Sequence, residues 1–490
     1  MSLTDAVTLA SQSLGTISGQ IGVVSRNISG ANTPGATEKK AIVTTGPSGG
    51  AVFQGVSRST NEPLMRSMLI ATAKSGASTS ISEALDRIDR ALNLSDPEQS
   101  RAPAATISRL SGALQIYSAT PENETAAQLA LLAAKDVAAS LNDAANLIQS
   151  IRQESDADIA AAVGDINDRL QKIANINREI VAGAPLGIDV SDALDRRDAL
   201  ISGLAAEIGL TTQSRPNNDI VIYTDSGVTL FETTPRMVTF EPTATYAAGV
   251  AGKAVFVDGV NVTGADSQLS VRSGAIAGRA ALRDRIAPKL QAQLDEVARG
   301  LVVAFSETHQ LSAGPPKPGL FTYAGAVELP GPTHIPGLAN IIELNAAVDS
   351  ARGGDILRLR DGGISGDPAY IYNLDQASGY GARIVELAEA AARRQNFDPA
   401  VEAVAIASLN SVAAEAVGAL GALRQQATRD SVYNTALADQ ATEALSNATG
   451  INLDDQMARM LELENAFQAA ARLLQTINAV YDALFSAIGR

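Results

Sequence analysis

The sequence contains no cysteine and no tryptophan, and it has only two histidines, His309 and His334, in 490 residues. Without cysteine there is no disulfide framework and no thiolate nucleophile, and a zinc site built from Cys and His is excluded. Two separated histidines leave little basis for histidine acid–base catalysis. The composition therefore argues against a typical enzyme, although an enzyme that uses carboxylates alone stays open.

Basic residues are fewer than acidic ones. The sequence has 38 Lys and Arg and 53 Asp and Glu, which gives a formal charge of −15. We expect no nucleic-acid partner, since neutralising phosphates requires clustered Lys and Arg. No apolar run approaches the length of a membrane span, so we expect no membrane insertion. The first residues, MSLTDAVTLASQSLG, do not form a cleaved Sec signal peptide, so export would use another route.

A chain of this length predicts two to four domains. Its pattern runs helix, helix, β, helix, β, helix, helix, so the two ends mirror each other. We therefore predict a mainly α protein with an inserted β domain, in which terminal coiled-coil helices, a helical bundle and an outer β-rich domain are arranged concentrically. The predicted boundaries are 1–45 with 447–490 for the terminal module, 46–206 with 273–310 and 373–446 for the bundle, and 207–272 with 311–372 for the β-rich domain.

The first 28 residues carry apolar side chains in alternating steps of four and three, the pattern of a heptad seam. Its members are Leu3, Val7, Ala10, Leu14, Ile17, Ile21, Val24 and Ile28. Three glycines between them each cost roughly 1 kcal/mol of helix stability relative to alanine. We therefore expect this segment to be helical only where its apolar stripe is covered, and disordered in the isolated chain.

A second seam occupies the other end of the chain. Its members are Met460, Leu463, Phe467, Ala470, Leu474, Ile477, Tyr481, Leu484 and Ile488. Two interpretations remain open. The two terminal helices either pair with each other inside one domain, or form a shared module that also packs against other chains.

Several internal patterns predict local structure. A third heptad run, with Asn177 at a seam position, consists of Ile159, Val163, Ile166, Leu170, Ile173, Asn177 and Ile180. Asp258-Gly259 between short β-rich runs predicts a hairpin turn. Residues 278–310 predict a helix whose place, in the bundle or in the β domain, is open.

The search for chemistry finds no catalytic, metal or cofactor site. Asp192, Asp195 and Asp198 lack the alternating oxygen ligands of a calcium loop, so we interpret them as solvated acids at a helix start. His309 lies about 20 Å along a helix from Glu296, too far for direct proton transfer. The glycine-rich turns match neither a P-loop, which requires GK[ST], nor a GxGxxG fingerprint after a strand, so we expect no phosphate-binding loop of either kind.

The stretch NISGANTPGATEKK (27–40) is locally a helix stop, but it also resembles the Asn-Ile-x-x-x-Asn-Thr-Pro-Gly stretch of bacterial flagellar axial proteins of the rod, hook and hook–filament junction. Asn27, Ile28, Asn32, Thr33, Pro34 and Gly35 match it. The family usually has an aromatic residue where this chain has Ala36. The end of the chain, including AFQAAARLLQT (466–476), also looks like this family, and ordered internal pieces such as DALDRRD (192–198) favour its hook-associated junction members.

The resemblance implies a structural, non-enzymatic subunit that is exported through the flagellar type III apparatus and polymerises on the hook. It implies hook protein, the second junction protein and further copies of this chain as partners, and an export chaperone at the C-terminal helix. It implies an extracellular location in the flagellum. The alternatives are another axial subunit (second junction protein, hook, rod or flagellin-like) and a secreted carboxylate-dependent hydrolase.

Overall fold

The structure, a computed structural model, describes residues 3–47, 49–94, 96, 99–310 and 314–488, with side chains to residue 486. Twelve α-helices and thirteen strands are found within these ranges. The helices are α1 Leu3–Gly30, α2 Glu62–Leu92, α3 Pro103–Ala119, α4 Glu124–Gly183, α5 Ser191–Glu207, α6 Ala275–Ala281, α7 Ala287–Ala304, α8 Leu338–Ile341, α9 Arg358–Asp361, α10 Ala382–Ala390, α11 Leu409–Thr449 and α12 Leu453–Ile488.

The strands form five small antiparallel sheets. A hairpin joins β1 Lys39–Thr45 to β2 Ala51–Arg58. Four strands follow α5 in the order of the chain, namely β3 Leu210–Ser214, β4 Ile220–Thr224, β5 Thr229–Glu232 and β6 Thr234–Pro235. The remaining strands are β7 Val238–Thr239, β8 Phe256–Val257, β9 Val260–Asn261, β10 Phe321–Tyr323, β11 Ile342–Leu344, β12 Arg394–Asn396 and β13 Ile406–Ser408.

The 60-residue helix α4 runs through the whole body. The side chain of Asn123 caps it by accepting hydrogen bonds from the backbone N–H groups of Thr125 and Ala126. A helix of this length spans about 90 Å, and its apolar face is covered along most of that distance. One element therefore contributes to three large cores and to a small cluster of Ile180 with Ala193 and Leu194 of α5.

Each core surrounds a different part of α4. The first contains α3, the end of α7, α10 and the start of α11 around Ala126–Ala145 of α4. The second contains α5, α6 and the strands β3, β4, β5, β7 and β8 around Ile159–Ala174 of α4. The third lies between them and includes the end of α2 and the middle of α11. Because α6 belongs to the second core and α7 to the first and third, the predicted helix 278–310 contributes to both the helical and the β-containing parts.

The predicted fold class is confirmed, since long helices dominate and a β region is inserted among them. The third heptad run is buried from Ile159 to Ile180. The Asp258-Gly259 turn is also confirmed, because Val257 pairs with Val260 and both turn residues have positive φ, as a tight hairpin requires. The concentric arrangement and the domain boundaries stay predictions.

Two segments differ in detail from the regions predicted around them. Residues 311–372, assigned to the β-rich domain, hold two three-residue strands, β10 and β11, and isolated bridge residues among turns and short helices in their described part. The strand β2 lies within the largely helical 46–206, and it pairs with β1 beside α1. Short apolar runs between turn residues do not distinguish a strand from a packed loop.

Replacing Leu141 by alanine should lower the free energy of unfolding by about 3 kcal/mol, because removing a fully buried leucine side chain leaves a cavity. Leu141 is 0% exposed on α4, whereas Leu132 on the same helix is 55% exposed. The matched change Leu132→Ala should alter stability by less than about 0.5 kcal/mol. Urea unfolding followed by circular dichroism measures both values, and equal losses would contradict the place given to Leu141.

Candidate functional site

The two ends of the described chain form an antiparallel helix pair, α1 against α12. The Thr4 hydroxyl lies 3.1 Å from the Tyr481 hydroxyl at one end, and the Asn27 Nδ2 atom lies 3.0 Å from the Gln456 Oε1 atom at the other. These contacts define a register in which Val7 is level with Ile477. The two predicted seams therefore face each other.

The seams are covered on one side only. On α1, Val24 is buried, and Leu3, Val7, Leu14, Ile17, Ile21 and Ile28 are half-buried. On α12, the half-buried members are Met460, Leu463, Leu474, Ile477 and Tyr481. Phe467 and Leu484 are exposed, and the Ile488 side chain lies outside the described residues. The interaction role of these residues, and the disorder expected for the isolated chain, stay predictions.

Further large apolar residues of α12 are exposed outside the seam members named above, and they lie on both sides of the seam. We call this set the outer flank of α12, and it consists of Leu453, Met457, Leu461, Leu473, Val480 and Phe485, which are between 45% and 67% exposed. Exposed apolar surface is typical of interaction sites, so this set is a candidate interaction surface. The seam pattern alone did not reveal this flank.

The β1–β2 hairpin packs along α1. The Thr16 hydroxyl donates a 2.7 Å hydrogen bond to the carbonyl of Ala51. A Cβ atom at Gly19 would lie 2.9 Å from the ring of Phe53, so this position requires glycine for close packing. The glycine that weakens α1 as an isolated helix therefore allows the hairpin to approach it.

Asn27, the first residue of the family motif, joins three elements and is only 1% exposed. Its Oδ1 atom accepts a hydrogen bond from the Lys39 backbone N–H at 2.9 Å, and its Nδ2 atom donates to the Lys39 carbonyl at 2.8 Å. The same Nδ2 donates to Gln456 on α12, whose Nε2 atom donates to Glu38 at 3.1 Å. Asparagine is unfavourable inside a helix unless its amide finds such partners.

The acids at the start of α5 hold the terminal helices and the hairpin to the body. Asp195 accepts hydrogen bonds from the Thr37 backbone N–H and hydroxyl, from Lys39 Nζ at 2.6 Å and from Arg58 at 3.0 Å. Arg58 also pairs with Asp198, and Arg26 pairs with Asp189 at 2.5 Å. Solvated acids were expected here, and for Asp195 that expectation was wrong, because it is 8% exposed.

The pKa of Asp195 lies below its ordinary value of 3.8. Burial by itself raises this pKa, but the hydrogen bonds from Lys39 and Thr37 outweigh that effect. The pKa of Asp189 is lowered against the same effect of burial by hydrogen bonds from Ser191 and Arg26. These carboxylates are therefore held in the charged form in the folded chain.

The remaining motif residues, Asn32, Thr33, Pro34 and Gly35, form an exposed turn after α1. The N–H of Thr33 bonds to the carbonyl of Gly30, and Gly35 has a φ of +79°, a conformation that favours glycine. The turn borders an open groove of about 1540 Å³ that is also lined by β2, the start of α5 and the end of α11. The motif thus marks the joint between the terminal helices and the body.

The buried carboxylates elsewhere hold loops and cations. Asp295 accepts hydrogen bonds from the backbone N–H groups of Gly337 and Ala339, and Glu296 binds Arg299. The backbone N–H of Ala400 and contacts with His334 lower the pKa of Asp398 to about 2.

No group of three or more His, Asp or Glu that could hold a metal ion occurs in the part of the chain that the structure describes. None of the described helices is both long and apolar enough to span a membrane.

Comparison with sequence families gives two matches. The family described as the flagellar hook-associated protein FlgK helical domain matches residues 54–315, which is more than half of the 490 residues. The family described as the flagellar basal body rod FlgEFG protein C-terminal region matches residues 444–486, which include all but the last two residues of α12.

Individual relatives agree with these matches. The flagellar hook-associated protein 1 of Bacillus subtilis is 19% identical over 399 residues, which cover 77% of this chain and 74% of the relative. That of Salmonella typhimurium is 22% identical over 301 residues, covering 59% of this chain and 53% of the relative. The solved structure of the flagellar hook junction protein FlgK from Burkholderia pseudomallei superposes with a TM-score of 0.56 at 14% identity, covering 77% of this chain and 98% of that one. This last likeness shows a shared fold.

Replacing Asp195 by asparagine should weaken the attachment of the hairpin by about 2 kcal/mol, because the buried Lys39 and the half-buried Arg58 lose their shared carboxylate while each keeps a second one, Asp192 or Asp198. Amide hydrogen exchange in β1 and β2 measures the free energy of this local opening. The control Asp168→Asn removes an exposed pair with Lys172, in which both side chains are about 60% exposed, and should change exchange by less than about 0.5 kcal/mol. Unchanged exchange in the Asp195 variant would contradict the role of this carboxylate.

The contribution of Asp195 should also depend on pH. Its pKa in the folded chain is depressed, so the stabilisation is fully present above the ordinary value of 3.8 and is lost as pH falls through the lower, folded value. The difference in hairpin exchange between the parent and Asp195→Asn should therefore be constant near neutral pH and shrink in acid below 3.8. If the difference in hairpin exchange between the parent and Asp195→Asn grew as the solution was acidified, it would contradict a lowered pKa of Asp195 in the folded chain.

Proposed function

This chain belongs to the flagellar hook-associated protein FlgK family, and from that premise we propose that it forms the junction zone between hook and filament by polymerising through α1 and α12. Membership of this family makes it a structural protein of the flagellum. The proposal adds the place of the chain in the axial structure and the elements that assemble it.

The observation that carries the proposal is the outer flank of α12. The helix α12 has eight exposed large apolar side chains, six of them in the outer flank, beside the seam that α1 half covers, whereas each of the other helices has at most two in the part of the chain that the structure describes. Covering this flank with helices of neighbouring copies would remove that apolar surface from water and stabilise a polymer. The match of residues 444–486 to a rod-protein family supports the same role for α12.

The remaining partners follow from the family. We propose that the polymer contacts hook protein on one side and the second junction protein on the other, and that a chaperone covers α12 before export. The family also leads us to propose that the chain is exported from the cell and has its place outside it, in the flagellum. A chaperone on α12 fits the outer flank, because that flank would otherwise be exposed to water in the unassembled chain.

We also propose that the chain is not an enzyme. A hydrolase that uses two carboxylates needs them to face each other across a cleft. Four buried carboxylates each accept hydrogen bonds from backbone N–H groups or pair with arginine, namely Asp156, Asp295, Glu296 and Glu307. These contacts favour a structural role for them. The family premise favours a structural subunit over the hydrolase alternative.

Placing a charge on the outer flank should abolish assembly without unfolding the chain. Leu461→Asp and Leu473→Asp change side chains that are 60% and 54% exposed. Each should leave the thermal unfolding of the isolated chain unchanged within a few degrees. Each should also remove filaments from cells in which the variant replaces the parent chain, as counted by electron microscopy.

The control is Val432→Asp on α11, where the side chain is 66% exposed outside the terminal helices. It should leave filament number at the level of the parent. Normal filaments in both flank variants would contradict assembly through α12. Loss of filaments in the control as well would show that the effect is not specific to this flank.

A further inference from the structure

The apolar seams of α1 and α12 do not by themselves define how far one helix lies along the other. Both repeat every seven residues, so sliding α12 by seven residues again sets the apolar seam residues level with each other. In the slipped register Leu3 would be level with Leu474, Ala10 with Phe467, and Ile17 with Met460. The slip is about 10 Å along the helix axis.

The chain connections leave room for such a slip. The helix α12 packs against α1 and joins α11 through Gly450, Ile451 and Asn452. Unwinding its first turn would supply several residues of extended chain, each of which spans up to about 3.5 Å. The hydrogen bond and the packing that tie α1 to the hairpin, at Thr16 and Gly19, do not involve α12.

One buried polar contact distinguishes the two registers, since the Thr4–Tyr481 contact is exposed. In the observed register Gln456 is 3% exposed, bonded to Asn27 through its oxygen and to Glu38 through its nitrogen. In the slipped register Gln456 would be level with Ile21, a half-buried apolar residue of the seam. A buried amide without partners is costly, so this residue disfavours the slip.

We infer that Asn27 and Gln456 are positioning residues that set the register of α12 against α1. A buried polar residue in an otherwise apolar seam is a known means of specifying register. The register determines how far the outer flank of α12 lies from the joint that Asp195 forms with the hairpin. The inference concerns contacts within one chain and is separate from the role proposed for the chain in the flagellum.

Disulfide cross-linking in the full chain tests the inference. Because the sequence has no native cysteine, only the introduced cysteines can form disulfides. The pair Ala10→Cys with Leu474→Cys reports the observed register, and Ala10→Cys with Phe467→Cys reports the slipped one. Under mild oxidation the first pair should form a disulfide at least about tenfold faster than the second, because cysteines two turns apart do not meet disulfide geometry. Mass spectrometry of the tryptic peptides quantifies both products.

Adding Gln456→Leu should raise the rate of the slipped pair to within about twofold of the registered pair, since leucine level with Ile21 carries no desolvation penalty. Asn27→Leu should shift the ratio in the same direction but by less, because Gln456 then loses its bond to Asn27 in the observed register and keeps its bond to Glu38. The matched control is Thr16→Val, which removes a buried hydrogen bond between α1 and the hairpin and leaves α12 untouched. It should leave the ratio of the two rates as in the parent.

Circular dichroism confirms that each variant keeps its helix content, so that a change of ratio reports register and not unfolding. A parent-like ratio in both Gln456→Leu and Asn27→Leu overturns the inference. An equal change in Thr16→Val also overturns it, because the effect would then come from lost stability. Equal rates of the two pairs in the parent chain would show that no single register exists, which is a third overturning result.

Discussion

Buried polar contacts, which require specific directions and distances, attach the terminal helices to the rest of the protein. Asp195 accepts four hydrogen bonds from Thr37, Lys39 and Arg58, and Asn27 links α1, the hairpin and α12. Apolar surfaces can slide over each other at little cost, whereas a buried carboxylate or amide must meet its partners. The position of α1, the hairpin and α12 relative to the body therefore depends on a few polar groups at the joint.

Features with a regular period were predictable from the sequence. The two terminal seams, the buried run from Ile159 to Ile180 and the hairpin at Asp258-Gly259 all follow from spacing or from local turn chemistry. These signals lie within one segment, so they need no knowledge of what packs against it. The mainly α fold class followed from them.

Features that depend on distant partners were not predictable. Asp195 meets Lys39 across 156 residues, so its helix alone suggests a solvated acid. Asn27 looks like a residue that ends a helix, and its amide partners lie in β1 and at residue 456. The sequence did contain one indication that the Asn27 amide has partners. Asn27 lies within the helical pattern, directly before the seam residue Ile28, and an asparagine amide without hydrogen-bond partners is unfavourable there.

The separation of contacting elements along the chain has a consequence for folding kinetics. Thr4 and Tyr481 are 477 residues apart, and the first core joins α3 to α10 and α11. Contacts this distant in sequence form slowly, because the entropy of closing the loop is lost before the contact is gained. During synthesis α1 therefore has no helix to pair with until α12 has been made.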